Sequence, residues 1–279
     1  MPLPLETPGP AAHALDRIFH TARSGQRAAL AVYYPVGFPD FEQSLHTLQA
    51  LAQYADVVEV GLPFSDPMMD GPTIAQATRQ ALTSGFRLAH LFTAIREIRA
   101  SSRAAVLVMT YWQPVAHRGA TRFAAELAEA GAAGAIIPDL PLEEAGPWLT
   151  AARHHGLHTV PVVAPNASDE RLARICTTAG GMIYAPAVAG VTGHTGPLAS
   201  GLPAFVARLR ALTGLPISVG IGVSSAAQAH QAAQYADGII VGSALIRHIQ
   251  NAPGPRGTRA ALALARDLAH GVHRLPAAA

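Results

Sequence analysis

Eight short apolar segments alternate with longer helical patterns along this chain of 279 residues, and that alternation constrains the fold most. The apolar segments predict strands at residues 28–34, 57–61, 105–109, 135–138, 158–163, 182–185, 217–220 and 238–241. Segments rich in alanine and leucine repeat with a helical period between them, as at residues 41–54, 121–131, 226–235 and 259–270. Strands that alternate with helices pair in parallel, and eight such units close into an α/β fold, the (β/α)8 TIM barrel.

An open doubly wound sheet is the alternative fold, but its Gly-x-Gly-x-x-Gly fingerprint does not follow the first strand. Residues 12–24 predict an additional N-terminal helix, which we expect to close the bottom of the barrel. No linker-like change of composition divides the chain. We therefore predict a single barrel domain over residues 1–279, with flexible ends at residues 1–11 and 275–279.

Composition excludes several classes of protein. Half of the residues are hydrophobic and 14% are charged, so the chain can bury a large core. The net charge is only +2 and the arginines are scattered, which argues against nucleic acid or a membrane surface as a partner. The first twelve residues lack the basic and apolar regions of a signal peptide, and no apolar stretch approaches the roughly 18 residues of a membrane span. We therefore expect a cytoplasmic protein.

Cysteine and histidine give little sign of chemistry. The one cysteine, Cys176, falls within a helical pattern, which favours a packed and inert thiol. The densest histidine group, His154, His155 and His158, lies where a helix ends and a strand begins. Adjacent side chains diverge at a helix end and chelate poorly, so we predict a solvated cluster and no metal site. We assign no role to His194.

Glu59 is the only charged residue within the apolar core of the second predicted strand. Because side chains alternate along a strand, Val58 and Val60 would pack under the helices and Glu59 would point into the barrel. A carboxyl group in such a place needs a partner or a raised pKa, and a raised pKa suits it to proton transfer near neutral pH. The alternative is a structural carboxylate held by backbone amides or by an arginine.

A second acid, Asp70, follows in a loop that contains prolines and a glycine and opens a helix near Thr73. Asp66 and Asp70 are both candidates for turn or helix-cap residues, the usual role of aspartate beside proline and glycine. We favour that role for Asp66. Asp70 is a candidate catalytic residue, because an acid on a barrel strand and one on the loop after it can converge on one substrate.

Three glycine-containing segments after the later strands are candidates for phosphate binding: residues 190–193, 220–222 and 242–243. Backbone N–H groups at a helix start lack partners inside the helix and bind phosphate, and glycine permits close approach. Phosphate sites in this architecture often use the loops after the seventh and eighth strands. Each glycine taken alone is also an ordinary turn residue.

Motifs along most of the chain resemble one family. The segment from Glu59 to Pro67, together with Asp70 to Ile74, resembles the signature of the tryptophan synthase alpha-subunit family. Similar stretches occur in the same order at residues 109–111, 138–144, 164–165, 169–171, 190–193 and 241–244. The resemblance spans about residues 15–270, and so long a series of motifs is far more specific than one short pattern.

The resemblance implies a retro-aldol cleavage of indole-3-glycerol phosphate to indole and glyceraldehyde 3-phosphate. Glu59 matches the general acid and base, and Asp70 matches the residue that binds the indole N–H. The positions that match phosphate contacts are Gly193, Gly222, Gly242 and Ser243. Thr192 matches a residue of a mobile loop, and the candidates for the indole pocket are Tyr184, Met109, Ile136 and Ile240. The family needs no cofactor in this chain, because pyridoxal phosphate belongs to a beta-subunit partner.

The chain departs from the family pattern at Gln113, at Ile221, at Met68 and Met69, and in the segments 186–187 and 194–197. In the family these loops also face the beta subunit, so the departures bear on partnership more than on catalysis. One hypothesis is therefore an alpha subunit that passes indole to a beta partner. The alternatives are a free-standing lyase that supplies indole to specialised metabolism, and a non-catalytic sensor of phosphate ligands. A sugar-phosphate isomerase barrel has no support from the motifs.

Overall fold

The structure, a computed structural model, describes residues 8–186, 198–220 and 222–273. The strands are β1 (Ala29–Pro35), β2 (Val57–Gly61), β3 (Ala105–Met109), β4 (Gly134–Ile136), β5 (His158–Val160), β6 (Ile183–Pro186), β7 (Ile217–Gly220) and β8 (Gly238–Val241). The helices are α1 (Pro10–Ser24), α2 (Phe41–Leu51), α3 (Pro72–Thr83), α4 (Leu88–Ser101), α5 (Trp112–Arg118), α6 (Ala120–Ala130), α7 (Gly146–His154), α8 (Asp169–Cys176), α9 (Leu202–Arg210), α10 (Ala226–Ala233), α11 (Ser243–Asn251) and α12 (Pro255–Gly271).

The eight strands form one parallel sheet in the order β5-β4-β3-β2-β1-β8-β7-β6. A parallel bridge between Val162 and Tyr184 joins the two outer strands. There the Val163 N–H donates to the Tyr184 carbonyl, and the Tyr184 N–H donates to the Pro161 carbonyl. These bonds close the sheet, and the predicted (β/α)8 barrel is confirmed.

The core has two layers, which follow from the alternation of side chains along each strand. On β2, Val58 and Val60 belong to the large cluster between the sheet and the helices, whereas Val57 belongs to a smaller cluster inside the barrel. Glu59 has the same parity as Val57 and therefore points inward. The same parity places Ile240 of β8 inside the barrel.

Helix α1 closes the bottom of the barrel. It begins at Pro10, two residues before the predicted start, because proline has no N–H to leave unpaired in the first turn of a helix. Its buried residues Leu15, Phe19 and Ala22 pack inside the barrel against residues of the strands. The reaction site must therefore lie at the other end, where the strands finish.

Two strands are shorter than predicted. β4 ends at Ile136 and β5 at Val160, whereas the sequence predicts strands to residues 138 and 163. Pro138 and Pro161 lack the backbone N–H that a ladder requires, so regular pairing stops before them. Most other strand boundaries agree with the prediction to within one residue.

The predicted solvated histidine cluster is wrong for His158. Its side chain is buried. Its Nε2 lies 3.0 Å from the Asp16 carboxylate of α1, which is within ion-pair distance, but the two groups do not have the geometry of a hydrogen bond. The reason is that α1 covers the barrel bottom and with it the start of β5.

Cys176 is a free and buried thiol, as predicted. No helix in the described ranges has both the length and the apolar character that crossing a membrane requires.

Candidate active site

A pocket opens at the carboxyl ends of the strands. Its lining residues come from β1, β2, β3, β6 and β8, from the loops that follow the strands and from the starts of α3 and α11. They are Tyr33, Glu59, Asp70, Ile74, Met109, Tyr184, Gly222, Val223, Ile240, Gly242 and Ser243. The barrel therefore collects, at one place, residues that are far apart in the sequence.

Glu59 reaches this pocket from β2. Its side chain is 1% exposed, and its Oε1 atom is buried without a hydrogen-bond partner among the described residues. Burial raises the pKa of Glu59 from its ordinary value of 4.5 to about 8, because the apolar surroundings disfavour the charged form. A carboxyl group with this pKa is protonated at neutral pH and can give up its proton during a reaction. The alternative of a carboxylate fixed by an arginine or by amides therefore finds no support.

Asp70 lies two residues before α3 and faces the same pocket. Burial raises its pKa from 3.8 to about 7, although an interaction with the Tyr111 hydroxyl opposes the rise. Its Oδ1 atom has no partner among the described residues. The same Tyr111 hydroxyl accepts a hydrogen bond from the Met69 N–H at 3.0 Å, so it also fixes the loop before Asp70. Asp66 is exposed and does not line the pocket, and its carboxylate accepts a hydrogen bond from the Ser65 hydroxyl, so the turn or cap role we favoured stays a prediction.

Two tyrosines line the pocket. Tyr33 of β1 lies over Gly61, where an added Cβ would be 2.4 Å from the Tyr33 hydroxyl oxygen. Tyr184 of β6 lies over Gly220 in the same way, and the corresponding distance is also 2.4 Å. Burial is the main cause that raises the pKa of both phenols well above the ordinary value, so both hydroxyls remain protonated.

Ser243 is the first residue of α11, and Gly242 precedes it. No side chain of the described residues caps α11, so the first N–H groups of this helix are open toward the pocket. By contrast, the start of α10 is capped by Ser225, whose side chain accepts from the Gln228 N–H. Gly222, on the loop between β7 and α10, has a φ of 107° and completes this side of the pocket. An uncapped helix start beside glycines is suited to an anion.

The structure brings most of the predicted site residues together. Those that line the pocket are Glu59, Asp70, Met109, Tyr184, Gly222, Ile240, Gly242 and Ser243. Ile136 does not line it, because this fully buried residue packs inside the barrel beside Met109. Gly193, Thr192 and His194 lie outside the described residues, as does Ile221.

The sequence analysis missed Tyr33 and Tyr111 as residues of the site. All seven residues of β1 are buried, so burial does not distinguish its inward face from its outward face. The position of Tyr33 along the strand was a usable signal. Alternate residues of a strand point to the same side, and Ala29 and Ala31, which precede Tyr33 at alternate positions, both lie inside the barrel. Tyr111 falls after a strand end, where the position of a side chain depends on the loop.

No group of three or more His, Cys, Asp or Glu side chains within the described ranges is arranged to hold a metal ion. Among the described residues, the polar groups of the pocket are two carboxyl groups, two phenols, the Ser243 hydroxyl and an uncapped helix start. Such a set can exchange protons with a bound molecule, stabilise a positive charge and hold an anionic end.

Comparison with known proteins gives a consistent result. A family model described as tryptophan synthase alpha chain matches residues 19–272. The tryptophan synthase alpha chain of Streptomyces coelicolor is 47% identical over 260 residues, which are 92% of this chain and 96% of that protein. The alpha chain of Mycobacterium avium is 45% identical over 268 residues, which are 96% and 97% of the two chains.

Solved structures agree with the sequence relatives. A chain of Mycobacterium tuberculosis tryptophan synthase superposes with a TM-score of 0.87 at 43% identity and covers 93% of this chain and 98% of its own. Tryptophan synthase subunit alpha from Legionella pneumophila gives a TM-score of 0.85 at 31% identity, with coverage of 93% and 98%. The likeness therefore extends over nearly the whole chain.

Proposed function

Because this chain belongs to the tryptophan synthase alpha chain family and is a lyase that cleaves indole-3-glycerol phosphate, we propose that Glu59 and Asp70 carry the reaction. The observation that supports this assignment most is the pair of unpartnered carboxyl oxygens, Glu59 Oε1 and Asp70 Oδ1, in one pocket. Buried carboxyl groups without partners are costly to a fold, and they persist where they serve a ligand.

Glu59 begins as the acid. At neutral pH its carboxyl group holds a proton, which it gives to the ring carbon that bears the glycerol phosphate chain. The carboxylate then takes the proton of the adjacent side-chain hydroxyl as the carbon–carbon bond breaks. The bonding electron pair returns to the ring, and the hydroxyl carbon becomes the aldehyde of glyceraldehyde 3-phosphate. Atoms and charges balance without a co-reactant, and Glu59 ends protonated as it began.

Asp70 acts on the other side of the ring. Protonation of the ring carbon places positive charge on the indole nitrogen, and a carboxylate that accepts a hydrogen bond from this N–H stabilises the charge. For this role Asp70 must be ionised. The interaction with the Tyr111 hydroxyl assists, because it opposes the rise in the pKa of Asp70.

The phosphate of the substrate would bind at the start of α11. The N–H groups there have no side-chain cap, and the positive end of the helix dipole faces the pocket. Gly222, Gly242 and Ser243 are the described residues at this end, and Gly193 is proposed to join them. Thr192 is proposed to act in a loop that closes over the site.

The indole ring would occupy the apolar part of the pocket, against Met109, Tyr184 and Ile240. Ile136 lies beside Met109, with which it pairs on the neighbouring strand, and it makes no direct contribution to the lining. We assign no cofactor to this chain, and pyridoxal phosphate would belong to a beta-subunit partner. A location in the cytoplasm stays a prediction.

A beta subunit is the partner we propose. The related Mycobacterium tuberculosis structures are of tryptophan synthase. On this chain, Met68 and Met69 are 78% and 42% exposed in the loop that carries Asp70, so two large apolar side chains face solvent beside the pocket. Burial of such side chains favours association. A free-standing lyase that supplies indole without a partner is the second candidate, because both carboxyl groups belong to this chain.

The test is an indole-release assay of the purified chain, alone and with a beta subunit. Cleavage of indole-3-glycerol phosphate that is lost in Glu59→Gln supports the assigned chemistry, and undiminished cleavage contradicts it. Co-elution with the beta subunit and faster cleavage support the partnered role. Turnover that stays the same, with no co-elution, supports the free-standing lyase.

A further inference from the structure

Tyr33 lines the pocket, yet its phenol has no part in the chemistry described above. It lies directly opposite Glu59 in the pairing of β1 with β2, and its side chain is 6% exposed. A buried tyrosine usually finds a hydrogen-bond partner for its hydroxyl, because an unpaired polar group in an apolar site costs free energy. If Tyr33 served only to pack against an aromatic ring, phenylalanine would serve equally well at this position.

Two glycines fix where this hydroxyl lies. An added Cβ at Gly242 would be 2.8 Å from the Tyr33 Cδ1 atom, so the base of the ring passes close to the strand end that precedes α11. An added Cβ at Gly61 would be 2.4 Å from the hydroxyl oxygen, so the tip lies over the end of β2. The ring thus spans the pocket wall from the proposed phosphate end to the loop of Asp70.

The hydroxyl lies at the end of the pocket proposed for the indole ring. Asp70 contributes most among the charged groups that raise the pKa of Tyr33, followed by Tyr111 and Glu59, and burial contributes more than any of them. No hydrogen bond within the described part of the chain is among the causes. The phenol therefore offers one donor and one acceptor to whatever occupies the ring end.

We propose that Tyr33 determines specificity and lets this pocket accept indole-3-glycerol phosphates that carry a hydroxyl group on the ring. The Tyr33 hydroxyl would bond that substituent at the edge of the ring that faces Gly61. The inference rests on the proposed function and extends it from the unsubstituted ring to polar derivatives. A methyl group of similar size at the same ring position would leave the phenol unpaired and would be disfavoured.

The experiment compares matched pairs of substrates. Indole-3-glycerol phosphates with a hydroxyl or a methyl group at each carbon of the benzo ring are cleaved by the unchanged chain and by Tyr33→Phe. For at least one ring position, we expect the unchanged chain to prefer the hydroxyl substrate in kcat/KM. Tyr33→Phe should reduce that preference, measured as the ratio of kcat/KM for the hydroxyl and methyl substrates, about tenfold. Tyr54→Phe, the same change at an exposed residue outside the pocket, is the control.

Three outcomes would overturn the proposal. The first is no preference for a hydroxyl at any position, and the second is a preference that Tyr33→Phe leaves intact. The third is an equal loss of kcat/KM in Tyr33→Phe for all substrates, which would mean that the phenol contacts a group common to them. Failure of the proposed function is distinguishable, because Glu59→Gln would then cleave the unsubstituted substrate as fast as the unchanged chain.

Discussion

The hydroxyl of Tyr111 and the carboxyl group of Asp70 interact, and this interaction opposes the effect of burial on the pKa of that carboxyl group. Without it, burial alone would raise the pKa further and Asp70 would be protonated over more of the neutral range. Tyr111 also holds the loop before Asp70 through the Met69 N–H. It is therefore a positioning residue for the acid that we expect to stabilise the charged ring.

The two carboxyl groups predict a bell-shaped pH profile. Asp70, with a pKa of about 7, must be ionised, so kcat/KM should fall as the pH drops below that value. Glu59, with a pKa of about 8, must hold its proton, so kcat/KM should fall again as the pH rises above that value. Initial rates of indole release from pH 5 to 10 would measure the two limbs. A flat profile across this range would contradict the assignment.

Tyr111→Phe should move only the acidic limb of that profile. Loss of the hydroxyl removes an interaction that lowers the pKa of Asp70, so the acidic limb shifts to higher pH while the basic limb stays in place. For a rise of about one unit in the pKa of Asp70, maximal kcat/KM should fall about twofold, because less of the enzyme has both groups in the required state. A uniform loss at every pH would instead indicate a purely structural role for Tyr111.

Glu59→Gln should lower kcat by about 10²–10⁴-fold or more, because the amide neither donates a proton to carbon nor accepts one from the hydroxyl. KM should change little, since the side chain keeps its size. Glu97→Gln is a matched control, because Glu97 is exposed on α4 and far from the pocket lining. Comparable rates in the two variants would refute the role of Glu59.

The same substitution should stabilise the fold at neutral and alkaline pH. The folded chain keeps a proton on Glu59 up to a pH of about 8, whereas the unfolded chain loses it near 4.5, so burial of Glu59 lowers stability progressively across this range. Glu59→Gln should therefore raise the free energy of unfolding by about 3 kcal/mol at pH 7 and by little near pH 4. Urea denaturation at both pH values tests the difference. Equal effects at the two values would show that Glu59 titrates normally.

Gly61→Ala should destabilise the barrel by about 1–3 kcal/mol, because its Cβ would overlap the Tyr33 ring. The Tyr33 ring has little room to withdraw, since Gly242 approaches it from the other side. Combining Gly61→Ala with Tyr33→Leu should recover much of the loss, so that the two effects are not additive. Gly146→Ala, where an added Cβ meets nothing within 4 Å, should be close to neutral in thermal unfolding.

The barrel could be predicted from the sequence because the two periodicities, of strand and helix, alternate along the whole chain. The ends of β4 and β5 could not be predicted as well, since an apolar run such as residues 158–163 continues past Pro161, where the ladder stops. The burial of His158 was also not predictable, because it depends on α1 crossing the start of a strand that is remote in sequence.

The acids of the site could be predicted because Glu59 is a charge in an apolar strand and Asp70 stands in a structured loop. The phenols were harder to predict. Tyr33 is one of several buried residues on β1, and only its register opposite Glu59 distinguishes it. Tyr111 reaches Asp70 by contact between two loops, which the sequence pattern does not specify.

Helix α1 fills the lower barrel with Leu15, Phe19 and Ala22, and this determines where small molecules can enter and leave. Reactant arrival and product departure must share the rim where the strands finish. A second subunit that consumes the liberated heterocycle would have to dock over that rim to receive it before it escapes into bulk water. Because α1 closes one end of the barrel, any transfer of the heterocycle to such a subunit takes place at the opposite end.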